Sequence, residues 1–255
     1  MSRNRFPPKP KYDVDSGPVY LYGLHTVRAA LDNPHRVKRS LLATPNALAR
    51  LRESGDIGRV PVTETTPREL DRRLGADAVH QGVALEVDPV GRFGLDDLLH
   101  PRLVVVLDQV TDPHNVGAIL RTACAFGADA LLTTARYAPR ETGVMAKAAS
   151  GALDLMPLIE VRNLGEALET LKKRGLVILG FDSAADTPLR PLPPDRPVAI
   201  VLGAEGKGLR QKTRGLCDEM VRLDTPGPIK SLNVSNAAAI ALFAATALAA
   251  GQPSA

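Results

Sequence analysis

Two polar, glycine-containing segments in the last third of the chain combine residue types that could bind a small molecule. The first is Gly203-Ala204-Glu205-Gly206-Lys207-Gly208, which follows an apolar run, and the second is Ser231-Leu232-Asn233-Val234-Ser235-Asn236, which precedes an alanine-rich one. Glycine lets a backbone approach a ligand closely, and the unpaired N–H groups at a helix start can bind polar atoms of the ligand. Together the two segments predict a small-molecule pocket.

The spacing of the glycines excludes two common nucleotide-binding motifs. A P-loop has four residues between its first glycine and a Gly-Lys-Ser/Thr sequence, whereas Gly206 follows Gly203 too closely and Lys207 is followed by Gly208. A dinucleotide fingerprint needs Gly-x-Gly-x-x-Gly, and the order of spacings here is reversed. A tight turn between a strand and a helix is the alternative interpretation. Glu205 weighs against it, because a carboxylate buried among glycines needs a partner.

Several polar residues fall where predicted strands end and helices begin. Ligands gather at the carboxyl ends of the strands of a parallel sheet, so such residues are candidates for a site. Each alone could instead cap a helix or lie on its surface. Their convergence on one sheet edge favours a functional site. The residues are Asn115, Arg121, Glu205, Ser231, Asn233 and Ser235.

Composition is typical of a soluble globular protein. Of the 255 residues, 44% are hydrophobic and 24% are charged. Cys124 and Cys217 are isolated, so neither a disulfide framework nor a metal site is predicted. The chain start, rich in proline and cations, lacks the apolar stretch of a signal peptide, and no run is long enough to span a membrane. A cytoplasmic protein is expected.

The distribution of positive charge suggests a phosphate-bearing partner. Net charge is +4, and the cations cluster in the first residues, in Arg36-Lys38-Arg39 and in Lys207-Arg210-Lys212-Arg214. A solvated surface is the commoner meaning of one such cluster, whereas three together favour binding to nucleic acid.

Strand and helix patterns alternate in two α/β segments, which predicts a parallel, helix-flanked sheet in the second. The predicted organisation is a disordered basic arm (residues 1–17), a first domain (18–88), a linker (89–101) and a second domain (102–255). In the second domain the predicted strands include Leu103–Leu107, Leu155–Val161 and Met220–Leu223, and the predicted helices include Val116–Phe126 and Leu209–Cys217.

Three segments of the second domain resemble the ordered motifs of the SpoU (TrmH) family of RNA ribose methyltransferases, part of the SPOUT superfamily. They are Asn115-Val116-Gly117-Ala118-Ile119-Leu120-Arg121-Thr122-Ala123, Leu202-Gly203-Ala204-Glu205-Gly206-Lys207-Gly208-Leu209 and Ser231-Leu232-Asn233-Val234-Ser235. The first domain, ending His80-Gln81-Gly82-Val83-Ala84, is similar to the family's substrate-binding domain, an α/β/α sandwich.

The resemblance implies a fold, a cofactor and partners. The catalytic domain would be an α/β fold with a trefoil knot involving about Val198 to Ala245. S-adenosylmethionine would contact Gly203, Leu223 and Leu232, with Leu202 and Ser235 beside them. The enzyme would be a homodimer that methylates structured RNA, and no metal is implied.

The resemblance also implies roles in transferring a methyl group to a ribose 2′-hydroxyl. The family's catalytic arginine corresponds to Arg121, with Asn115 and Glu205 holding it and Ser231 and Asn233 completing the pocket. Because a guanidinium is normally always protonated, Arg121 could instead stabilise the alkoxide while another group takes the proton.

Two departures and two alternatives stay open. Asn236 replaces a valine of the family pattern, and residues 224–230 are less apolar than usual, which affects the cofactor loop. With the first domain present, the resemblance implies a guanosine of 23S rRNA as the target. A tRNA ribose is the alternative target, and a non-catalytic RNA-binding protein is the alternative class.

Overall fold

A computed structural model of the chain describes residues 17–91, 93–190, 196–229 and 231–250, and for 247–250 it describes the backbone alone. Most of the predicted basic arm lies outside these residues. The chain divides into two compact units. The first contains the chain up to Arg92 together with Arg140–Met156, and the second contains Phe93–Pro139 and the chain from Pro157.

The strands and helices follow one another along the chain in this order. In the first part they are β1 (Val19–Tyr22), α1 (Leu24–Asp32), β2 (Lys38–Ala43), α2 (Pro45–Ser54), β3 (Val62–Glu64), α3 (Pro67–Leu74) and β4 (Val83–Val87), followed by a 3-10 turn at Leu95–Asp97. They continue with β5 (Leu103–Asp108), α4 (Pro113–Ala125), β6 (Ala130–Thr134), α5 (Gly143–Ala149), α6 (Ala152–Leu155), β7 (Leu158–Val161), α7 (Leu164–Lys173), β8 (Val177–Phe181), β9 (Thr187–Pro188), β10 (Val198–Gly203), α8 (Gln211–Arg214), β11 (Glu219–Arg222) and α9 (Val234–Ala250).

The first unit is built on a mixed sheet of four strands in the order β1-β4-β2-β3. Strand β4 is antiparallel to both of its neighbours, whereas β2 and β3 are parallel. Leu21, Leu41 and Leu85, one from each of β1, β2 and β4, are fully buried and form part of the core. Helices α2 and α3 begin with a threonine cap followed by proline, which is favourable at a helix start.

Helices α5 and α6 belong to this first unit, although their residues were predicted to lie in the second domain and to form no helix. Helix α5 packs against β1, and α6 packs against α1. The predicted strand Leu155–Val161 is therefore too long at its start, because Leu155 ends α6 and the strand begins at Leu158.

Arg36 lies at the centre of a buried ionic cluster in the first unit. Its side chain forms ion pairs with Asp154 (Nε–Oδ1, 2.8 Å) and Glu141 (Nη1–Oε1, 2.8 Å), and the residue is only 4% exposed. Burial acts to lower the pKa of Arg36, but the two carboxylates outweigh it and raise the pKa. Burial raises the pKa of Glu141. The prediction that Arg36 contributes to a phosphate-binding surface is wrong, because its charge is already neutralised inside the fold.

The second unit is a parallel sheet of seven strands in the order β7-β6-β5-β10-β8-β11-β9. All six residues of β5 are buried, as expected for a strand covered on both faces. Asp112 caps α4 by accepting a hydrogen bond from the His114 N–H, with Pro113 next to it. The predicted parallel α/β architecture of this part is confirmed.

Predicted bounds in the second unit mostly agree within three residues, and α8 is the helix that is shortened at both ends. The predicted helix Leu209–Cys217 is reduced to Gln211–Arg214. The reason lies at Arg210, whose backbone N–H donates to the Asp108 carboxylate (3.1 Å) and so ties the preceding segment to the end of β5. Among the described residues, no helix is both long and apolar enough to cross a membrane.

Candidate active site

A cavity of about 370 Å³ lies at the carboxyl edge of the second unit's sheet. All paired strands of this sheet are parallel, so the ends of β8, β10 and β11 meet at the same edge. The cavity is lined by Phe181, Asp182 and Ser183 after β8, by Leu202 and the turn Gly203–Gly208 at the end of β10, by Leu223 and Thr225 after β11, and by Ser231, Leu232, Val234 and Ala237 at the start of α9. Its position is the one where ligands bind in open parallel sheets.

The glycine turn closes on itself beside the cavity. Ala204 and Gly208 form a β-bridge in which the Gly208 N–H donates to the Ala204 carbonyl (2.8 Å). A Cβ at position 203 would lie 2.2 Å from the Gly208 carbonyl carbon, so only glycine fits there. Gly206 and Gly208 have φ values of 76° and 65°, which side chains rarely adopt. The segment is therefore a tight turn, as the alternative interpretation of the sequence predicts, and it also forms one wall of the cavity.

Glu205 joins the ends of α4 and α9 through its carboxylate. Its Oε1 accepts hydrogen bonds from Asn115 Nδ2 (3.1 Å) and Asn233 Nδ2 (2.6 Å), and Asn233 Nδ2 also donates to Asn115 Oδ1 (3.0 Å). The sequence led us to expect a carboxylate buried among the glycines, but Glu205 is exposed. It nevertheless has two amide partners, which hold it at the rim of the cavity.

The start of α9 is organised by the same residues. Asn233 precedes the helix, and its Oδ1 accepts hydrogen bonds from the Ser235 backbone N–H (2.8 Å) and hydroxyl (2.5 Å). The Val234 N–H points to Glu205 Oε1 (3.4 Å), which places a negative charge at the positive end of the helix. Ser235 therefore supports Asn233 and does not line the cavity, whereas Ser231 and Leu232 do.

Arg121 stands apart from this arrangement. It is exposed on α4, it does not line the cavity, and within the described part of the chain it makes no hydrogen bond or ion pair. Six helical positions correspond to a rotation of about 240° beyond one full turn, so Asn115 and Arg121 project from different sides of α4. The expected bonds from Asn115 and Glu205 to Arg121 are consequently not formed among the residues described.

The structure adds polar residues that the motifs did not identify. Asp182, directly after β8, lines the cavity and forms an ion pair with Arg214. Asp108, the last residue of β5, is fully buried and pairs with Arg210 (Oδ1–Nε, 2.7 Å). Asp182 follows the rule that polar residues at the carboxyl ends of buried strands reach a site, whereas Asp108 lies beneath Arg210 and does not line the cavity. That signal was present in the sequence at each strand end.

Two family models match the chain in succession. The model described as the SpoU rRNA methylase family matches residues 102–243, and the model described as RNA 2′-O ribose methyltransferase substrate binding matches residues 20–92. The boundary between the two matches lies close to the division between the units at residues 92 and 93.

Curated relatives resemble the chain along nearly its whole length. It is 41% identical to the 23S rRNA (guanosine-2′-O-)-methyltransferase RlmB of Pseudomonas putida over 236 residues, which cover 88% of this chain and 94% of the relative. The RlmB of Nitrosomonas europaea is 40% identical, with 88% and 89% covered.

Solved structures share the fold. The SpoU methyltransferase AviRb from Streptomyces viridochromogenes, in complex with the cofactor AdoMet, superposes with a TM-score of 0.77 at 24% identity, covering 93% of this chain and 92% of that one. A putative RNA methyltransferase of the TrmH family from Porphyromonas gingivalis gives a TM-score of 0.72 at 24% identity, with 91% and 90% covered.

Proposed function

Since this chain belongs to the SpoU rRNA methylase family, whose members are S-adenosylmethionine-dependent RNA methyltransferases, we propose that it methylates the ribose 2′-hydroxyl of a guanosine in 23S rRNA. The observation that carries the proposal is the 41% identity to a 23S rRNA (guanosine-2′-O-)-methyltransferase over 88% of the chain. The match of residues 20–92 to a substrate-binding model supports an RNA of this kind, because both parts of such an enzyme are present.

The cavity fits S-adenosylmethionine in size and in the groups it offers. Its volume of about 370 Å³ falls within the range of about 300–1,000 Å³ found for small-molecule sites. The tight turn after Gly203 brings backbone close to the cavity, and Leu202, Leu223 and Leu232 supply an apolar wall. The cofactor would be held by Gly203 and these three leucines, with Ser235 acting through Asn233. When bound, the cofactor supplies an electrophilic methyl group on a sulfonium.

The polar residues around the cavity would handle the ribose. A 2′-hydroxyl is a weak acid, so its attack requires removal of a proton and stabilisation of the developing alkoxide. Arg121 provides a permanent positive charge for the alkoxide or an adjacent phosphate, and it is a poor base for the same reason. Glu205, held by Asn115 and Asn233, and Ser231 would orient the nucleotide at the cavity rim.

The same family membership supports a proposal for the assembly. We propose a homodimer with the trefoil knot between about Val198 and Ala245, acting in the cytoplasm on rRNA. The side chains of Ile240 and Phe243 on α9 are 45% and 48% exposed, and such apolar residues would be covered by a second protomer. The guanidinium of Arg121, exposed and without an ion pair in the part of the chain that the structure describes, supports a site completed near that contact.

Mapping of 2′-O-methyl groups on rRNA and tRNA from cells with and without the gene tests the proposed target. The expected result is the loss of one guanosine methylation in 23S rRNA and its return when the gene is restored. Loss of a tRNA methylation instead would establish the alternative target. Unchanged methylation of both RNAs would indicate a non-catalytic RNA-binding protein.

A further inference from the structure

A second polar cavity, of about 230 Å³, opens at the same edge of the second unit's sheet. It lies at the carboxyl ends of β6 and β7, where Thr134 and Arg162 are found, while the first cavity lies at the ends of β8, β10 and β11. Strand β5 separates the two groups of strands. We propose that this second cavity binds a backbone phosphate of the RNA being methylated.

Cationic side chains supply the attraction. Arg136, Arg162, Arg210 and Lys212 all line the cavity. Arg210 is partly neutralised by Asp108 beneath it, whereas the other three form no ion pair in the described part of the chain. Three unpaired cations around one small cavity repel each other, and a doubly coordinated anion removes that repulsion.

A buried hydroxyl without a partner is the second, independent observation. Thr134 is only 4% exposed and lines the cavity, and its Oγ1 makes no hydrogen bond among the described residues. A buried hydroxyl left unpaired is costly, so a site of this kind usually has a ligand or water that completes it. A phosphate oxygen would accept the hydrogen bond that Thr134 Oγ1 can donate.

The start of α7 contributes a favourable dipole to the same cavity. Leu164 and Gly165, the first two helical residues, line it, and the positive end of a helix attracts anions. Lys212 lies across this turn, since its Cε is 3.6 Å from where a Cβ of Gly165 would be. Asn163 caps the helix and also donates to Glu166, so this carboxylate faces the cap and does not line the cavity.

Arg210 lines the second cavity and is bonded to the end of β5, which lies beside the strand that ends at the first cavity. Its backbone N–H and Nε both bond to Asp108, which lies opposite Gly203 in the register of β5 and β10. A phosphate held on the β6 and β7 side would therefore anchor the RNA strand beside the methyl-donor cavity on the other side of β5. This inference rests on the proposed function for the identity of the RNA, but its chemistry is that of a phosphate held by arginine, lysine and a helix start.

Binding of unmethylated 23S rRNA transcript to the full-length protein, without S-adenosylmethionine and over a salt series, tests the inference. Arg162→Gln and Lys212→Gln should each weaken binding about tenfold and reduce the slope of log Kd against log salt by about 0.7–0.9. The control is Lys173→Gln, which makes the same charge change on an exposed residue at the other end of α7. In steady-state assays the two variants should raise KM for RNA and leave kcat nearly unchanged.

Thr134→Val provides a second test that does not change charge. It should weaken RNA binding several-fold while leaving stability equal or higher, because it removes an unpaired buried hydroxyl. Its matched control is Thr133→Val, since Thr133 is fully buried, its hydroxyl also has no partner among the described residues, and it does not line the cavity.

The outcomes separate this inference from the proposed function. Equal affinity and salt slope for Arg162→Gln, Lys212→Gln and Lys173→Gln would overturn it. Binding of inorganic phosphate to the wild-type cavity, together with unchanged RNA affinity of the variants, would also overturn it, because the cavity would then be a site for a free anion. If the variants weaken RNA binding as expected but the wild-type protein does not methylate the 23S rRNA transcript, the result would count against the proposed target alone.

Discussion

Two clusters of basic residues look alike in the sequence but differ in the two units. They are Arg36-Lys38-Arg39 in the first unit and Lys207-Arg210-Lys212-Arg214 in the second. In the first unit Arg36 is buried and neutralised by Asp154 and Glu141, whose carboxylates come from the separate segment 140–156. In the second unit Lys212 lies at the carboxyl edge of the sheet without an ion-pair partner among the described residues. Arg36 of the first cluster holds a fold together, whereas Lys212 of the second keeps its charge available for a ligand.

The difference shows that the density of cations along a chain does not measure its free charge. A buried guanidinium must be paired, because an unpaired charge in the interior costs several kcal/mol. A cation at a sheet edge stays solvated and costs little until an anion arrives. The predictions below test this contrast between the two units, beginning with the largest expected effect.

Arg36→Met should lower the free energy of unfolding by about 3–5 kcal/mol, because it leaves the carboxylates of Asp154 and Glu141 buried without a cation. Urea unfolding followed by circular dichroism measures the loss. Arg59→Met, at an exposed position of the same unit, is the control and should have little effect. A change below about 1 kcal/mol for Arg36→Met would mean that the ionic cluster does not stabilise the first unit.

Arg121→Ala should reduce methyl transfer by about 10²–10³-fold without changing stability, because we propose that Arg121 serves the reaction and it is exposed without an ion pair among the described residues. Single-turnover assays with saturating RNA measure the rate, and calorimetry should find S-adenosylmethionine affinity nearly unchanged. Lys173→Ala removes an exposed cation elsewhere in the same unit and should retain full activity. Near-normal turnover of Arg121→Ala would remove this residue from the active site.

Gly203→Ala should weaken S-adenosylmethionine binding by between about fivefold and a hundredfold, because the added Cβ would overlap the Gly208 backbone and open the turn. Calorimetric titration measures the change. Gly215→Ala is the matched control, since a Cβ there would meet its nearest atom at an ordinary 3.6 Å. Equal affinity for both variants would show that the shape of the turn is unimportant for the cofactor.

Arg39→Gln should leave the urea midpoint unchanged, although Arg39 is only three positions from Arg36 in the sequence. Its pair with Asp88 (Nε–Oδ1, 2.6 Å) is exposed, so water and salt screen it. The comparison with Arg36→Met is made in the same buffer and at the same protein concentration. A loss of stability as large as that of Arg36→Met would indicate that the whole cluster acts as one structural unit.

Truncation of the chain is a poor test of what the first unit does. Deleting residues 1–90 would remove the partners of α5 and α6, which pack against β1 and α1 although they come later in the chain. Weaker RNA binding by such a truncation would then reflect exposed apolar faces as well as lost RNA contacts. Substitutions of exposed cations in the full chain are the cleaner test.

The sequence by itself determined the class of the fold and the family. Apolar runs such as Leu103–Leu107 are typical of strands buried on both faces, and the helix caps and glycines between them are local signals. The motif residues that bring Asn115, Glu205 and Asn233 together were also identifiable, because their types and order along the chain are distinctive.

Only the tertiary structure decided which of the predicted polar residues meet. It joined Glu205 to Asn115, 90 positions away, and kept Arg121 outside that network. It placed residues 140–156 in the first unit and buried Arg36 against them, which no local pattern indicated. The physical reason is that strand and helix propensities depend on neighbouring residues, whereas burial and pairing of charges depend on which distant segments pack together.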